Sequence, residues 1–154
     1  MASFTVVLLL VVASASLAVR VIPSSIDREG KACVPLLAKA ACTHILNRAE
    51  QVLGHREYEK YYDLFEDEAD YEVKGTNYKG KEILKFYADM LSAHPVRDIM
   101  YMLKSWDQSE TPQLAKCFLS HKATLFSKNF NAEYVYFLRQ GDDCAYRIYR
   151  VEQD

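Results

Sequence analysis

After Pro95 the sequence passes through four stretches, "VRDIMYMLKSW", "LAKCFLSHKATLF", "AEYVYFLRQ" and "CAYRIYRVEQ". All are rich in β-branched and aromatic residues, which suit a pleated, half-buried surface. The last three are joined only by "SKNFN" and "GDD", so they are expected to pair as antiparallel hairpins. Such a sheet has an apolar face that something must cover. The helix-like stretches upstream of Pro95 are expected to supply that cover.

The upstream sequence has the spacing for it. Ala38, Ala41, Cys42, Ile45, Ala49, Val52 and Leu53 recur at three and four residues, the stripe of one helix face. Pro35 suits a first turn, where its missing N–H costs nothing, and Gly54 suits a stop. "HREYEKYYDLF" predicts a second, short helix with Tyr58, Tyr61, Tyr62 and Phe65 on its apolar side. "ADYEV" alternates as a strand, Tyr71 and Val73 on one face, Asp70 and Glu72 on the other. Ile83, Leu84, Phe86, Tyr87, Met90 and Leu91 predict a third helix, stopped by His94-Pro95. Helices first, with one early strand, then four strands, is an α+β order. At 154 residues the chain is long enough for one domain with a core.

The first residues stand apart. Phe4–Val12 is an apolar run followed by small residues that fit cleavage after Ala15 or Ala18. It falls short of the roughly 20 residues a bilayer span needs. No Lys or Arg precedes it, so the terminal amine alone supplies positive charge there. We expect residues 1–18 to be a signal peptide, 19–32 a flexible leader and 33–154 the folded domain, secreted and extracellular. No membrane partner is expected. A net charge of −2 removes the electrostatic argument for nucleic acid.

Secretion changes the meaning of the four cysteines, Cys33, Cys42, Cys117 and Cys144. Two disulfides are expected, and with no Cys-x-x-Cys pair neither zinc nor thioredoxin-like chemistry is supported. A helical Cys33 would lie about 13 Å along the axis from Cys42 at 1.5 Å per residue, whereas bridged Cα atoms lie within about 7 Å. Links from the first helix to Cys117 and Cys144 are therefore favoured.

The acidic run "DLFEDEAD" lacks the glycine and spacing of a calcium loop and reads as a solvated turn between helix and strand. "GTNYKGK" fails as a phosphate loop because Glu82 follows Lys81 where a Ser or Thr is needed. "QVLG" at Gln51–Gly54 ends a helix and lacks the Gln-x-Val-x-Gly spacing of a cystatin-like inhibitor. No cofactor or metal is expected.

The order of elements, with Leu64, Phe65, Ala69, Tyr71, Gly75, Tyr78, Gly80, Lys81, Ile83, Phe86, Tyr87 and Leu91 in place, resembles the nuclear transport factor 2-like superfamily. The resemblance runs from about Cys33 to the end. It implies a cone, a bent antiparallel sheet wrapped around the N-terminal helices, with a pocket at the open end and frequent homodimers through the sheet. Gly75 and Gly80 would be turn and cap residues. Members include isomerases, dehydratases, polyketide cyclases and domains without activity. Isomerase members carry an Asp base near the end of the first strand. The nearest carboxylate here is Glu72, on the face opposite Tyr71, hence toward solvent.

The polar residue best placed for a pocket is His121, which shares a strand face with Cys117, Leu119, Ala123 and Leu125. If the next turn centres on Lys128-Asn129, His121 lies beside Tyr136 with Tyr134 nearby. A three-residue turn at Gly141 adds Tyr146 and Cys144 to that face, and a two-residue turn removes them. The expected role is non-catalytic: binding a small apolar ligand or a protein partner among His121, Tyr134, Tyr136 and Tyr146. The alternative is a pocket enzyme of isomerase, dehydratase or cyclase type, in which His121 and Tyr136 do acid–base work.

Overall fold

A computed structural model describes residues 32–73, 75–81, 84–85, 89, 92–93, 97–125 and 128–153. The expected signal peptide and nearly all of the leader lie outside these residues, as does most of the expected third helix, of which Leu84 is described and buried.

Helix α1 spans Ala38–Gly54 and buries Ala38, Ala41, Cys42, Ile45, Leu46, Ala49, Val52 and Leu53. Its alanines keep the helix close to the sheet beneath it. The helix starts at Ala38 rather than near Cys33, and Pro35 lies before it instead of in its first turn. Tertiary bonds hold the preceding segment off the helix axis. Cys33 is bridged to Cys144 with Cα atoms 5.2 Å apart. The Leu36 N–H donates to the Tyr146 hydroxyl at 3.1 Å. No side chain of the segment caps the helix; the Ala38 N–H donates instead to Gln108 Oε1 at 2.6 Å, from a distant strand.

At the other end Gly54 is still helical, and Arg56 reverses the chain with φ 60°. The Glu57 N–H reaches the Val52 carbonyl at 2.8 Å and the Arg56 N–H reaches that of Leu53 at 3.1 Å. This is the Schellman pattern. Its left-handed position is usually glycine, and a side chain there costs roughly 1 kcal/mol.

Helix α2 is Tyr58–Tyr62. Six strands follow: β1 Phe65–Val73, β2 Thr76–Lys79, β3 Arg97–Gln108, β4 Leu114–Leu125, β5 Lys128–Gln140 and β6 Tyr146–Gln153. They form one curved, unclosed sheet in the order β2-β1-β6-β5-β4-β3. All pairs are antiparallel except β1 with β6, which run parallel, so the sheet is mixed. Of the acidic run expected as a turn, Asp63 ends α2 and the residues from Phe65 onward belong to β1. Cations on and around the sheet make this possible: Arg139 binds Glu66, Lys81 binds Asp67 and Arg150 binds Glu72. Gly75 and Gly80 both have φ 77°. A Cβ on Gly80 would approach the Asp67 carbonyl to 3.3 Å, so that position needs glycine twice over.

The concave face of the sheet carries the core. Cys117, Leu119 and Ala123 of β4, Tyr134, Tyr136 and Leu138 of β5, and Tyr146, Ile148 and Val151 of β6 are all buried. Ile148 and Val151 are three apart and would oppose each other across a regular strand. A register shift opposite Phe137/Leu138 turns both inward. The Cys42–Cys117 bridge, with Cα atoms 5.7 Å apart and both residues fully buried, fastens α1 to the sheet. Both disulfides join the N-terminal region to distant strands or loops, and Cys33 and Cys42 are not paired with each other.

Candidate functional site: the tyrosine-lined concave face

His121 stands at the centre of an aromatic group on this face. Its cross-strand neighbour on β3 is Tyr101, and the two rings are stacked at 4.4 Å with 5° between their planes. Phe130 meets the imidazole edge-on at 5.8 Å and Tyr134 lies tilted at 6.1 Å. Nε2 is buried with no hydrogen-bond partner. Burial disfavours the imidazolium and lowers the pKa from 6.5 to about 4. The ring is therefore neutral at physiological pH.

The β4–β5 register differs from the expected one. Leu125 pairs with Lys128, so the turn falls earlier than Lys128-Asn129. His121 faces Ala132, not Tyr136; Tyr136 faces Cys117 and Tyr134 faces Leu119. The shift is by an even number of residues, so every side chain keeps its predicted face.

Tyr136 joins a second group, deeper along the face. The hydroxyls of Tyr61 from α2, Tyr101 from β3 and Tyr136 from β5 converge and are coupled by side-chain hydrogen bonding. Burial pushes all three hydroxyls above the usual tyrosine pKa, Tyr101 and Tyr136 well above it. Tyr134 and Tyr136 meet edge to face at 6.0 Å. Tyr101 thus links the two groups, stacking on His121 with its ring while its hydroxyl joins Tyr61 and Tyr136.

Tyr146 does not belong with them. It faces the core as one of the two turn readings required, but pairs with Gln140, eight residues along β5 from the partner of His121. That is roughly 26 Å at the rise of a strand. Its hydroxyl accepts from the Leu36 N–H at 3.1 Å and donates toward the Pro112 carbonyl at 3.2 Å, which is a structural role. Glu72 points away from the concave face, with its carboxylate 3.4 Å from the exposed Arg150.

Sequence reasoning passed over Tyr101 and gave Tyr61 no part in the site. The signal for Tyr101 was its alternation with Ile99 and Leu103 in "DIMYML", which puts all three on one face. Tyr61 carried only helix periodicity, and no local pattern ties α2 to β3 and β5. Among the described residues no cluster of His, Cys, Asp and Glu could hold a metal ion.

No family model matches the sequence, and no curated protein does. Solved structures do. A nuclear transport factor 2-like protein of unknown function from Shewanella oneidensis superposes with a TM-score of 0.67 at 11% identity, over 76% of this chain and 98% of its own. The chain has the nuclear transport factor 2-like fold. A ketosteroid isomerase-like protein from Erwinia carotovora atroseptica gives 0.59 at 15% identity, covering 74% of this chain and 92% of its own. An uncharacterized protein with a cystatin-like fold from Caulobacter vibrioides gives 0.59 at 10%, over 75% and 87%. Identities this low speak to the nuclear transport factor 2-like architecture and leave the chemistry to the residues on the concave face.

Proposed function

We propose that this chain is a secreted, non-catalytic domain that binds a small, largely apolar ligand on the aromatic part of its concave face. The observation that supports this reading is the state of His121, stacked on Tyr101, with Nε2 unpartnered and a pKa of about 4. A base that weak is a poor proton acceptor at neutral pH. Burial raises the pKa of the Tyr61, Tyr101 and Tyr136 hydroxyls, and Glu72 is turned outward onto Arg150. What the face offers instead is ring surface from Tyr101, His121, Phe130 and Tyr134, with the unpartnered His121 Nε2 able to meet one polar atom of a ligand. Secretion is supported by the apolar run at Phe4–Val12 and by the two disulfides.

Native mass spectrometry of the secreted protein, followed by lipid extraction, tests the reading. A co-purifying apolar molecule that is lost or weakened roughly tenfold in His121→Ala would support it. Steady isomerisation of a ketosteroid by the wild-type protein, abolished in the same variant, would replace it with the enzyme reading, His121 and Tyr136 then acting as the acid–base pair.

A further inference from the structure

A groove of about 770 Å³ runs between the C-terminal end of α1 and the first residues of β3. Arg56 and Arg97 line it together with His55, Asn47 and Gln51. Neither arginine forms an ion pair among the described residues, although Glu50 and Asp98 line the same groove. The Asp98 carboxylate is engaged elsewhere, accepting from the Thr124 hydroxyl at 3.1 Å.

The backbone makes this arrangement more than a chance of surface charge. Arg56 occupies the left-handed position of the Schellman turn, with φ 60°, where glycine would be unstrained. Asp98, next to Arg97, is also left-handed at φ 51°. Asp98 lies in a register irregularity of β3 and aspartate tolerates this region, so the strain that matters is that of Arg56, which persists where the side chain has a use. We propose that the groove is a binding site for a single oxyanion, a carboxylate or phosphate group on a small polar ligand. The Arg56 and Arg97 guanidinium groups would supply paired N–H donors, with Asn47 and Gln51 as neutral donors beside them. The two carboxylates in the lining disfavour a polyanion such as nucleic acid. The groove's lining includes none of Tyr101, His121, Phe130 and Tyr134, so its failure would leave the proposal for those rings untouched.

The cation at a helix C-terminus gains from the helix dipole whatever its shape, and a lysine would gain equally. Three variants separate the explanations: Arg56→Gly, Arg56→Lys and Arg97→Gln. The full secreted chain is titrated with inorganic phosphate and, separately, with acetate, while amide shifts are followed by NMR. Saturable shifts confined to residues 55–57 and 97–99 are expected for one or both anions, and the stronger binder names the ligand class. Arg56→Gly should weaken binding roughly tenfold yet raise the melting temperature by roughly 3 °C. Arg56→Lys should weaken binding severalfold with the melting temperature unchanged, and Arg97→Gln should weaken it roughly tenfold. Absence of saturable shifts for both anions overturns the proposal. So does undiminished binding in Arg56→Gly or, should that variant fold poorly, in Arg97→Gln.

Discussion

At one end of the sheet, polar groups and sulfurs are bonded to one another across long stretches of sequence. Cys33 is bridged to Cys144, the Tyr146 hydroxyl serves Leu36 and Pro112, and Gln108 caps α1. At the other end, His121 lies among aromatic rings with Nε2 unpartnered, and Arg56 and Asp98 hold left-handed backbone. The first end is fastened by covalent and long-range hydrogen bonds, and the left-handed Cys144 (φ 64°) and the buried, unpartnered Gln140 Oε1 are held within that framework. The second leaves a buried nitrogen without a partner and keeps strain that glycine would relieve. Disulfide and long-range hydrogen bonding are concentrated at one end and aromatic ring surface at the other, the division expected where a rigid base supports a binding surface.

The largest expected effect tests the rigid base. With both disulfides formed, the circuit each closes runs Cys33 to Cys42, across to Cys117 and on to Cys144. Loop entropy therefore assigns the two bridges similar worth, about 3–4 kcal/mol. Burial separates them. Cys33 is buried but Cys144 is partly exposed, whereas Cys42 and Cys117 are both wholly enclosed in the core, so Cys42→Ala/Cys117→Ala loses more packed atoms and should cost about 5 kcal/mol. Cys33→Ala/Cys144→Ala should cost about 3 kcal/mol. Urea unfolding of the two double variants measures the difference, and equal losses would show that packing around the inner bridge adds nothing.

The second prediction concerns the other end. His121 has its pKa lowered to about 4 by burial, against an unfolded value of about 6.5. Between these values the unfolded chain binds the proton and the folded one does not, so stability falls as pH drops from 6.5 to 4 and levels off below. The loss should be roughly 2 kcal/mol, allowing for the ring's partial exposure. In His121→Leu that slope should vanish while the rest of the pH profile remains. A slope unchanged in the variant would mean that the imidazole is already solvated in the folded state.

The same division explains what could be read from the sequence. The stripe from Ala38 to Leu53 and the inward face of β4 follow from periodicity, because burial on one side writes itself into spacing. The β4–β5 turn was misplaced because Phe130 and Asn131 look like loop residues in "SKNFN", yet the even shift left each face intact. The start of α1 was misplaced for a different reason: the bond from Cys33 to Cys144 and the cap from Gln108 come from far along the chain. Likewise the acidic strand β1 is legible only once Arg139 and Arg150 lie across from it. The tyrosine group shares this character, since Tyr61, Tyr101 and Tyr136 come from three separate elements.

The smallest effect returns to the disulfide end. Beside the Cys33–Cys144 bridge, the Asp143 carboxylate takes two bonds from Arg147, at 2.8 and 2.5 Å. The Arg147 hydrogen bonds are the main cause that lowers its pKa from 3.8 to about 2. A depressed carboxylate pKa contributes stability above its unfolded value and loses it as pH falls through its folded one. The window is therefore pH 4 to 2, below the one assigned to His121. The Asp143 side chain is 40% exposed, so solvent screening should hold the contribution to about 1 kcal/mol or less. Unfolding midpoints of wild type and Asp143→Asn should converge between pH 4 and 2, where the wild type loses its ion pair. Parallel curves across that range would mean that the pair adds nothing, and that the disulfide alone secures the loop.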